Sequence, residues 1–167
     1  MIVVDAAPLI YLSKIGRLEL LRKLYGKIVL PQGVWDEVVT QAQGRPGAGE
    51  LERGVGEGWI RVEKALPLRS LLAERMEGAD AEAVALAKKM RVPLLTNDRV
   101  LVMIARTSGI EAKWLTQAVV EASRAGTIRP VEARSLLRDL VRAGLRIRSE
   151  VLAEAIHLIG EKEEKRS

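Results

Sequence analysis

Short apolar runs alternate with stretches of helical periodicity along the first two thirds of the chain. The runs are rich in valine, isoleucine and leucine, and glycine, proline or charged residues bound them, which is typical of buried strands. The pattern predicts five strands, at residues 2–4, 27–30, 59–62, 92–96 and 113–115.

Apolar residues that recur every three or four positions predict helices between these strands. Pro8 fits the first turn of the first helix, because the N–H that proline lacks would be unsatisfied there in any case. Residues 44–58 hold six glycines and one proline, so we expect a loop with one short helical segment around 50–53. The predicted helices of this part cover residues 8–14, 18–24, 34–42, 66–76, 79–90 and 99–107.

The pattern after residue 115 is helical throughout. It predicts helices at 116–125, 131–143 and 149–159, with Gly126 and Gly144 at the breaks and Pro130 at the start of the second. These helices either form a small subdomain or pack on the sheet. We expect a single domain over residues 1–160, with a core of about 1–115, a helical extension at 116–160 and a disordered charged tail at 161–167.

Strands that alternate with helices indicate an α/β fold, in which right-handed crossovers join the strands of a central parallel sheet. Composition then limits the chemistry of this fold. There is no cysteine, which excludes disulfides, thiolate–zinc sites and thiol nucleophiles, and the single His157 excludes a multi-histidine zinc site. Acid–base chemistry must therefore rest on carboxylates, lysine, tyrosine or metal-bound water.

The net charge of +5 and the isoelectric point of about 9.7 give a mild preference for polyanions, although an inert basic surface fits the charge equally well. Aromatic residues make up only 3% of the chain, so we expect little stacking on bases. We find no apolar run of membrane-spanning length and no basic segment ahead of the first apolar run, so we expect a cytoplasmic protein.

Three of the five aspartates stand at predicted strand or helix ends. Asp5 follows the first strand, Asp98 follows the fourth, and Asp80 opens a helix. Ligand sites in parallel sheets lie at the carboxyl ends of the strands, and three carboxylates that meet there require a cation, for which Mg²⁺ or Mn²⁺ is the natural choice. Alternatively, Asp80 and Asp98 are simply helix caps. Asp5 needs a partner in either case, because it follows a buried strand.

The order of these motifs resembles the PIN-domain family of metal-dependent ribonucleases, in particular its short prokaryotic members. The likeness is carried by the opening VVDAAPLIYLSKIGRLELLRKLYGKIVLPQGVWDEV, then by GADAEAVALA and VPLLTND. The segment LVRAGLRIRSEVL resembles the carboxyl-terminal region of one uncharacterised branch, so the likeness reaches about Gly160. The resemblance implies a PIN-like three-layer α/β/α fold with extra carboxyl-terminal helices.

The resemblance also implies a catalytic site of four carboxylates: Asp5, Glu37, Asp80 and Asp98. Asp5, Asp80 and Asp98 would be the metal ligands. Asp5 and one of the last two would bind directly, and the other, with Glu37, would act through water. Thr96 would support Asp98 with its hydroxyl. Asp36 precedes Glu37 and points about 100° away on a helix, so the family pattern, not the residues, selects Glu37. Glu82 is a further supporting acid, or else a solvated glutamate of the helix surface.

The chain departs from the family pattern directly after Asp5. Many members carry serine or threonine there, whereas this chain has Ala6 and Ala7. The resemblance implies a Mg²⁺- or Mn²⁺-dependent endoribonuclease that cleaves RNA and is the toxin of a toxin–antitoxin pair, with a small antitoxin protein as partner. The departure favours an alternative, a PIN-like RNA-binding or protein-interaction module with weak or no catalysis. A third alternative is a phosphatase or phosphotransferase that uses Asp5 as nucleophile. It is weaker, because position 7 is alanine and the DxD sequence usual for such enzymes is therefore absent.

The apolar carboxyl-terminal helices suggest a homo-oligomer such as a dimer.

Basic residues close to these motifs are candidates for contacting RNA phosphates. Lys14, Arg17 and Arg99 lie nearest to them in sequence, and Arg142, Arg146 and Arg148 form a second cluster. Charged residues on helix ends are more often simply solvated, which is the competing interpretation of both groups.

Overall fold

A parallel sheet forms the centre of the first part of the molecule. The computed structural model describes residues 1–42, 44–65 and 78–164. Within these ranges the strands are β1 (Ile2–Val4), β2 (Ile28–Pro31), β3 (Ile60–Glu63), β4 (Leu94–Leu95) and β5 (Ala112–Lys113). They pair in the order β3-β2-β1-β4-β5, and every pair is parallel. The predicted α/β class and the three-layer α/β/α arrangement with a central parallel sheet are confirmed.

Helices connect the strands and continue after the last one. Those up to β5 are α1 (Ala6–Lys14), α2 (Glu19–Tyr25), α3 (Gln32–Trp35), α4 (Ala48–Gly56), α5 (Gly78–Met90) and α6 (Arg99–Thr107). A π-helical turn, Asp36–Thr40, continues α3. After β5 come α7 (Leu115–Arg124), α8 (Pro130–Arg142) and α9 (Ser149–Glu164). No helix in the described part of the chain is both long and apolar enough to cross a bilayer.

The core of the sheet region lies on β1, which is the middle strand and is completely buried. Helix α5 packs against β1, β2 and β4. Its buried face is made largely of small side chains, among them Ala81, Ala83 and Ala87, and small side chains allow close approach of the helix to the strands. The helix is thereby held in place above the middle of the sheet.

The chain divides into two compact units, Met1–Lys113 and the part from Trp114 onward. In the second unit, α7, α8 and α9 each contact the other two, which makes a three-helix bundle. Gly126 and Gly144 have positive φ angles of 76° and 105° and provide the turns between these helices. Pro130 is the first residue of α8, as predicted.

Several boundaries differ from the prediction. Within residues 44–58, where a loop with one short helical segment around 50–53 was expected, α4 runs over Ala48–Gly56. One glycine of this helix has a packing reason, because Gly54 lies so close to Ile60 and Trp59 that a side chain would collide with them. The strand predicted at 92–96 is limited to Leu94–Leu95, and Leu115 begins α7 instead of ending β5.

Two other predicted segments differ or lie elsewhere. Helix α9 continues past residue 159 to Glu164, since glutamate and lysine are good helix formers. The helix predicted at 66–76 falls outside the described residues.

Candidate metal and phosphodiester site

Asp5 stands at the carboxyl end of the middle strand. Its backbone N–H donates to the Leu95 carbonyl on β4 at 3.0 Å, which continues the pairing of β1 with β4 by one residue. The residue is only 6% exposed. The chain turns into α1 directly after it, so the carboxylate is fixed where the strand stops and the helix begins.

Thr96 joins Asp5 to Asp98. The Thr96 hydroxyl, which is fully buried, donates to Oδ2 of Asp5 at 2.8 Å and accepts from the Asp98 N–H at 3.1 Å. One hydroxyl therefore serves as donor to the first carboxylate and as acceptor for the backbone of the second. Thr96, for which the resemblance implied a supporting role, thus contacts both aspartates.

Asp98 is an exposed residue that caps helix α6. Its Oδ1 accepts from the N–H groups of Val100 at 2.8 Å and Leu101 at 3.0 Å. The capping interpretation of this residue is therefore correct, and capping uses one oxygen of the carboxylate. The cap also fixes the orientation of the side chain beside Thr96.

These three residues lie at the point where the strand order of the sheet reverses direction. From β1 the chain moves outward to β2 and β3, then returns to β4 on the other side of β1. Crevices outside the carboxyl ends of the strands at such a point are where α/β sheets bind ligands. Asp5 ends β1, and Thr96 and Asp98 follow β4, so they flank this crevice from both sides.

Burial makes the charge of Asp5 unfavourable. Desolvation raises the pKa of its carboxyl above 3.8, and the negative charge of Asp98 raises it further, against hydrogen bonds from Ala6 and Thr96 that lower it. A cation beside Asp5 would compensate both contributions that raise the pKa. The electrostatics of the pair thus favour a positively charged ligand.

Asp80 belongs to the first turn of α5 and is half-buried. A Cβ atom on Gly33, two residues after β2, would lie 2.9 Å from the Cβ of Ala79. Because Gly33 follows the carboxyl end of β2 and Ala79 precedes Asp80, the start of α5 lies at the same edge of the sheet as Asp5.

Glu37 and Asp36 stand at the start of the π-helical turn that follows α3. Glu37 is exposed, whereas Asp36 is half-buried and accepts from the Gln32 side chain at 2.9 Å. Glu82 is half-buried, and its Oε2 accepts from the Gly33 N–H at 3.2 Å. π-Helical turns are frequent at functional sites, because the extra residue changes the direction of the side chains around it.

The four predicted carboxylates lie on different elements. Thr96 brings Asp5 and Asp98 together, while Asp80 and Glu37 are carried by separate helices. Among the described residues, no group of three or more Asp, Glu, His or Cys side chains is positioned to hold a metal ion. The donor chemistry nevertheless fits a hard divalent cation, because the side chains are carboxylates and two of them repel each other.

The predicted basic residues differ in position relative to this edge. Arg99 is exposed and directly follows Asp98. Lys14 ends α1, which leads away from Asp5, and its ammonium group lies 5.2 Å from the centre of the Tyr11 ring; Arg17 lies three residues further along the chain. Arg142, Arg146 and Arg148 are exposed in the second unit.

Sequence reasoning missed two features. One is Gly33, whose position at the start of a predicted helix was the available signal. The other is a groove of about 440 Å³ between α7 and α9, with Val120, Val151 and Leu158 among its lining residues. The apolar spacing of these two helices predicted buried faces but gave no indication of an opening between them.

Comparisons with known proteins agree with this architecture. The profile of the DUF3368 family, described as a PIN domain, matches residues 1–161. A PilT N-terminus domain protein from Sulfolobus solfataricus P2 has a similar structure, with a TM-score of 0.52 and 14% identity over 70% of this chain and 88% of that one.

A domain of a functionally unknown protein from Methanocaldococcus jannaschii gives a TM-score of 0.45 and 28% identity over 68% of this chain and 89% of that one. The search of curated proteins found no match.

Proposed function

Since the chain belongs to the PIN-domain family, whose members are generally nucleases that use divalent metal ions, we propose that it is a Mg²⁺- or Mn²⁺-dependent endoribonuclease. The observation that carries the proposal is the Asp5–Thr96–Asp98 arrangement at the point where the strand order reverses. Burial disfavours the charged form of Asp5. A bound cation would offset this cost, and it explains why a buried carboxylate lies at the edge of the sheet where such folds bind ligands.

In this proposal Asp5, Asp80 and Asp98 hold the metal, and Glu37 completes the acidic site. A bound divalent cation lowers the pKa of water and neutralises charge on phosphate oxygens. Thr96 orients the Asp5 carboxylate and holds the Asp98 backbone, while the cap at α6 fixes the Asp98 side chain. Arg99, exposed beside Asp98, contacts a phosphate of the RNA.

The test is RNA cleavage by purified protein, on single-stranded and structured RNA, with and without Mn²⁺. We expect cleavage that needs the ion and falls by at least about 10²-fold in Asp5→Asn and Asp98→Asn. Glu52→Gln, an exposed carboxylate on α4, is the matched control and should cleave like the wild type. Cleavage that persists in both aspartate variants would come from a contaminating nuclease and would refute the proposal.

A second candidate function is RNA binding without turnover. It is favoured by Ala6 and Ala7 in place of hydroxyl residues, and by the absence, among the described residues, of a group of three acids placed for a metal. Salt-dependent RNA binding that a chelator leaves unchanged, together with no cleavage in Mn²⁺, would support this function over the nuclease.

The proposal extends to a toxin of a toxin–antitoxin pair that a small antitoxin protein neutralises, and to a homodimer in the cytoplasm. The family likeness supports the toxin, and the apolar pattern of the carboxyl-terminal helices supports the dimer. Induced expression of the wild-type chain should then arrest bacterial growth, whereas Asp5→Asn expressed at the same level should not. Equal growth with both would argue against a toxin and would leave the nuclease assay as the test of the chemistry.

A further inference from the structure

Helix α3 lacks a cap of its own. Its first backbone N–H groups have no partner within the helix, and Pro31, at the position of the cap, has no side-chain acceptor. The acceptor comes from another helix, because Oε2 of Glu82 on α5 takes the hydrogen bond from the Gly33 N–H at 3.2 Å. Glu82 thus caps α3 from α5.

The same two helices are in contact through the missing side chain of Gly33. A Cβ atom there would lie 2.9 Å from the Cβ and 3.0 Å from the Cα of Ala79. Ala79 is part of the helix backbone at the start of α5, so the clash could not be relieved by turning a flexible side chain. Glycine at position 33 is therefore a condition for the distance between α3 and α5.

This contact lies close to two other acids of the proposed site, one in the π-helical turn that continues α3 and one in α5. Glu37 lies four residues after Gly33, and Asp80 directly follows Ala79. We propose that Gly33 and Glu82 are positioning residues, which set the approach of α3 to α5 and hence the distance of Glu37 from Asp80. The inference rests on the proposed function, and it assigns Glu82 a role through the α3 backbone instead of direct contact with metal or substrate.

The test compares four variants in Mn²⁺ affinity, measured by calorimetry on ion-free protein, and in kcat and KM for an RNA that the wild type cleaves. Glu82→Ala and Gly33→Ala should each bind Mn²⁺ about 10-fold or more weakly and lose about 10²-fold in kcat, with KM changing much less. Glu82→Gln keeps an acceptor for the Gly33 N–H and should stay within about threefold of the wild type. Gly49→Ala is the control, because a Cβ there meets open space.

The double variant Gly33→Ala/Glu82→Ala should be no worse than the more impaired single variant, since both changes disrupt one contact. Three results would each overturn the inference: Glu82→Gln as impaired as Glu82→Ala, either alanine variant equal to the wild type, or additive losses in the double variant. If Glu82→Ala fails to fold, the Gly33→Ala and Glu82→Gln results decide. A wild type that cleaves no RNA would refute the proposed function, and the Mn²⁺ affinities would then test the positioning role alone.

Discussion

At the residue scale, the chemistry of this protein depends on one hydroxyl between two carboxylates. Thr96 donates to Asp5 and accepts from the backbone of Asp98. The pattern singled out Asp5 and Asp98, which follow predicted strands, and the family resemblance added Thr96. The hydrogen bonds among them were not predictable, since they depend on β1 and β4 being neighbours in space although more than ninety positions apart along the chain.

Removal of the Thr96 hydroxyl should change the pH dependence of cleavage. The hydrogen bond from Thr96 lowers the pKa of Asp5, so its loss in Thr96→Val should raise that pKa beyond the increase caused by burial. Because the ionised carboxylate is the form that binds metal, the acid limb of a plot of kcat/KM against pH should move to higher pH. Thr96→Ser keeps the hydroxyl and should keep the wild-type limb. If the acid limb of Thr96→Val stays at the wild-type pH, ionisation of Asp5 does not control cleavage.

Asp98 caps helix α6 and, in the proposed function, also holds the metal, and substitutions can separate these two roles. Asparagine is as good a helix cap as aspartate, so Asp98→Asn should unfold at nearly the wild-type denaturant midpoint while losing cleavage. Asp98→Ala loses the bonds to Val100 and Leu101 and should be less stable by about 1 kcal/mol in addition to being inactive. Urea unfolding gives the stabilities, and an asparagine variant as unstable as the alanine variant would contradict the capping role.

At the element scale, sequence patterns predicted which elements exist better than where they end. Strands β1 and β2 were clear because their β-branched runs are buried. The length of β4 was not, since a parallel strand ends where its neighbours stop pairing with it, and β5 pairs with only Leu94 and Leu95. Helix α4 was predicted only as a short segment around 50–53, because glycines normally break helices, whereas here Gly54 packs against β3.

The turns before three of the strands share a residue with positive φ. Gly26 before β2, Gly58 before β3 and Gly109 before β5 all have positive φ, between 72° and 81°. The corresponding turn before β4 has Arg91, with φ of 55°, as the one positive-φ residue that is not glycine in the described part of the chain. A side chain is unfavourable in this conformation, whereas glycine adopts it freely.

Arg91→Gly should therefore stabilise the protein, by roughly 0.5–1 kcal/mol after the greater entropy of an unfolded glycine is subtracted. Lys89→Gly is the matched control two residues earlier, on an exposed position of α5, where glycine should destabilise by about 1 kcal/mol. Urea midpoints compare the two, and equal losses in both variants would show that position 91 carries no strain.

At the scale of the whole molecule, the sheet gathers the candidate chemistry at one edge. The strand order was not predictable from the sequence, because nothing in the pattern states that β4 pairs beside β1. The resemblance of motif order to the PIN domain supplied the fold, which the family match over residues 1–161 supports, while the strand order is seen only in the structure. The likeness gave no detail of α3 and α5, whose contact depends on the absence of a side chain at Gly33.

Asp5→Asn should make the ion-free protein more stable at neutral pH, by about 1 kcal/mol, because it removes a charge that burial disfavours. The folded pKa lies above 3.8, so the folded state binds the proton more tightly than the unfolded chain. The wild type therefore has the lower free energy of unfolding above the folded pKa of Asp5, and this difference disappears as the pH falls through the folded pKa toward 3.8. Melting curves of both proteins in a chelator should converge in acid, and a constant difference would exclude Asp5 as its source.

Because the buried charge of Asp5 destabilises the ion-free protein, its melting temperature should report which cations bind. A cation that neutralises the Asp5 region will add to the free energy of unfolding, by about 2.7 kcal/mol at a hundred times its dissociation constant. At one fixed concentration, the ion that binds most tightly will therefore raise the melting temperature most. A panel of alkaline-earth and transition metals, read by heat alone, would thus rank the preferred ion before any substrate is known. In the Asp5→Asn protein the ranking should vanish.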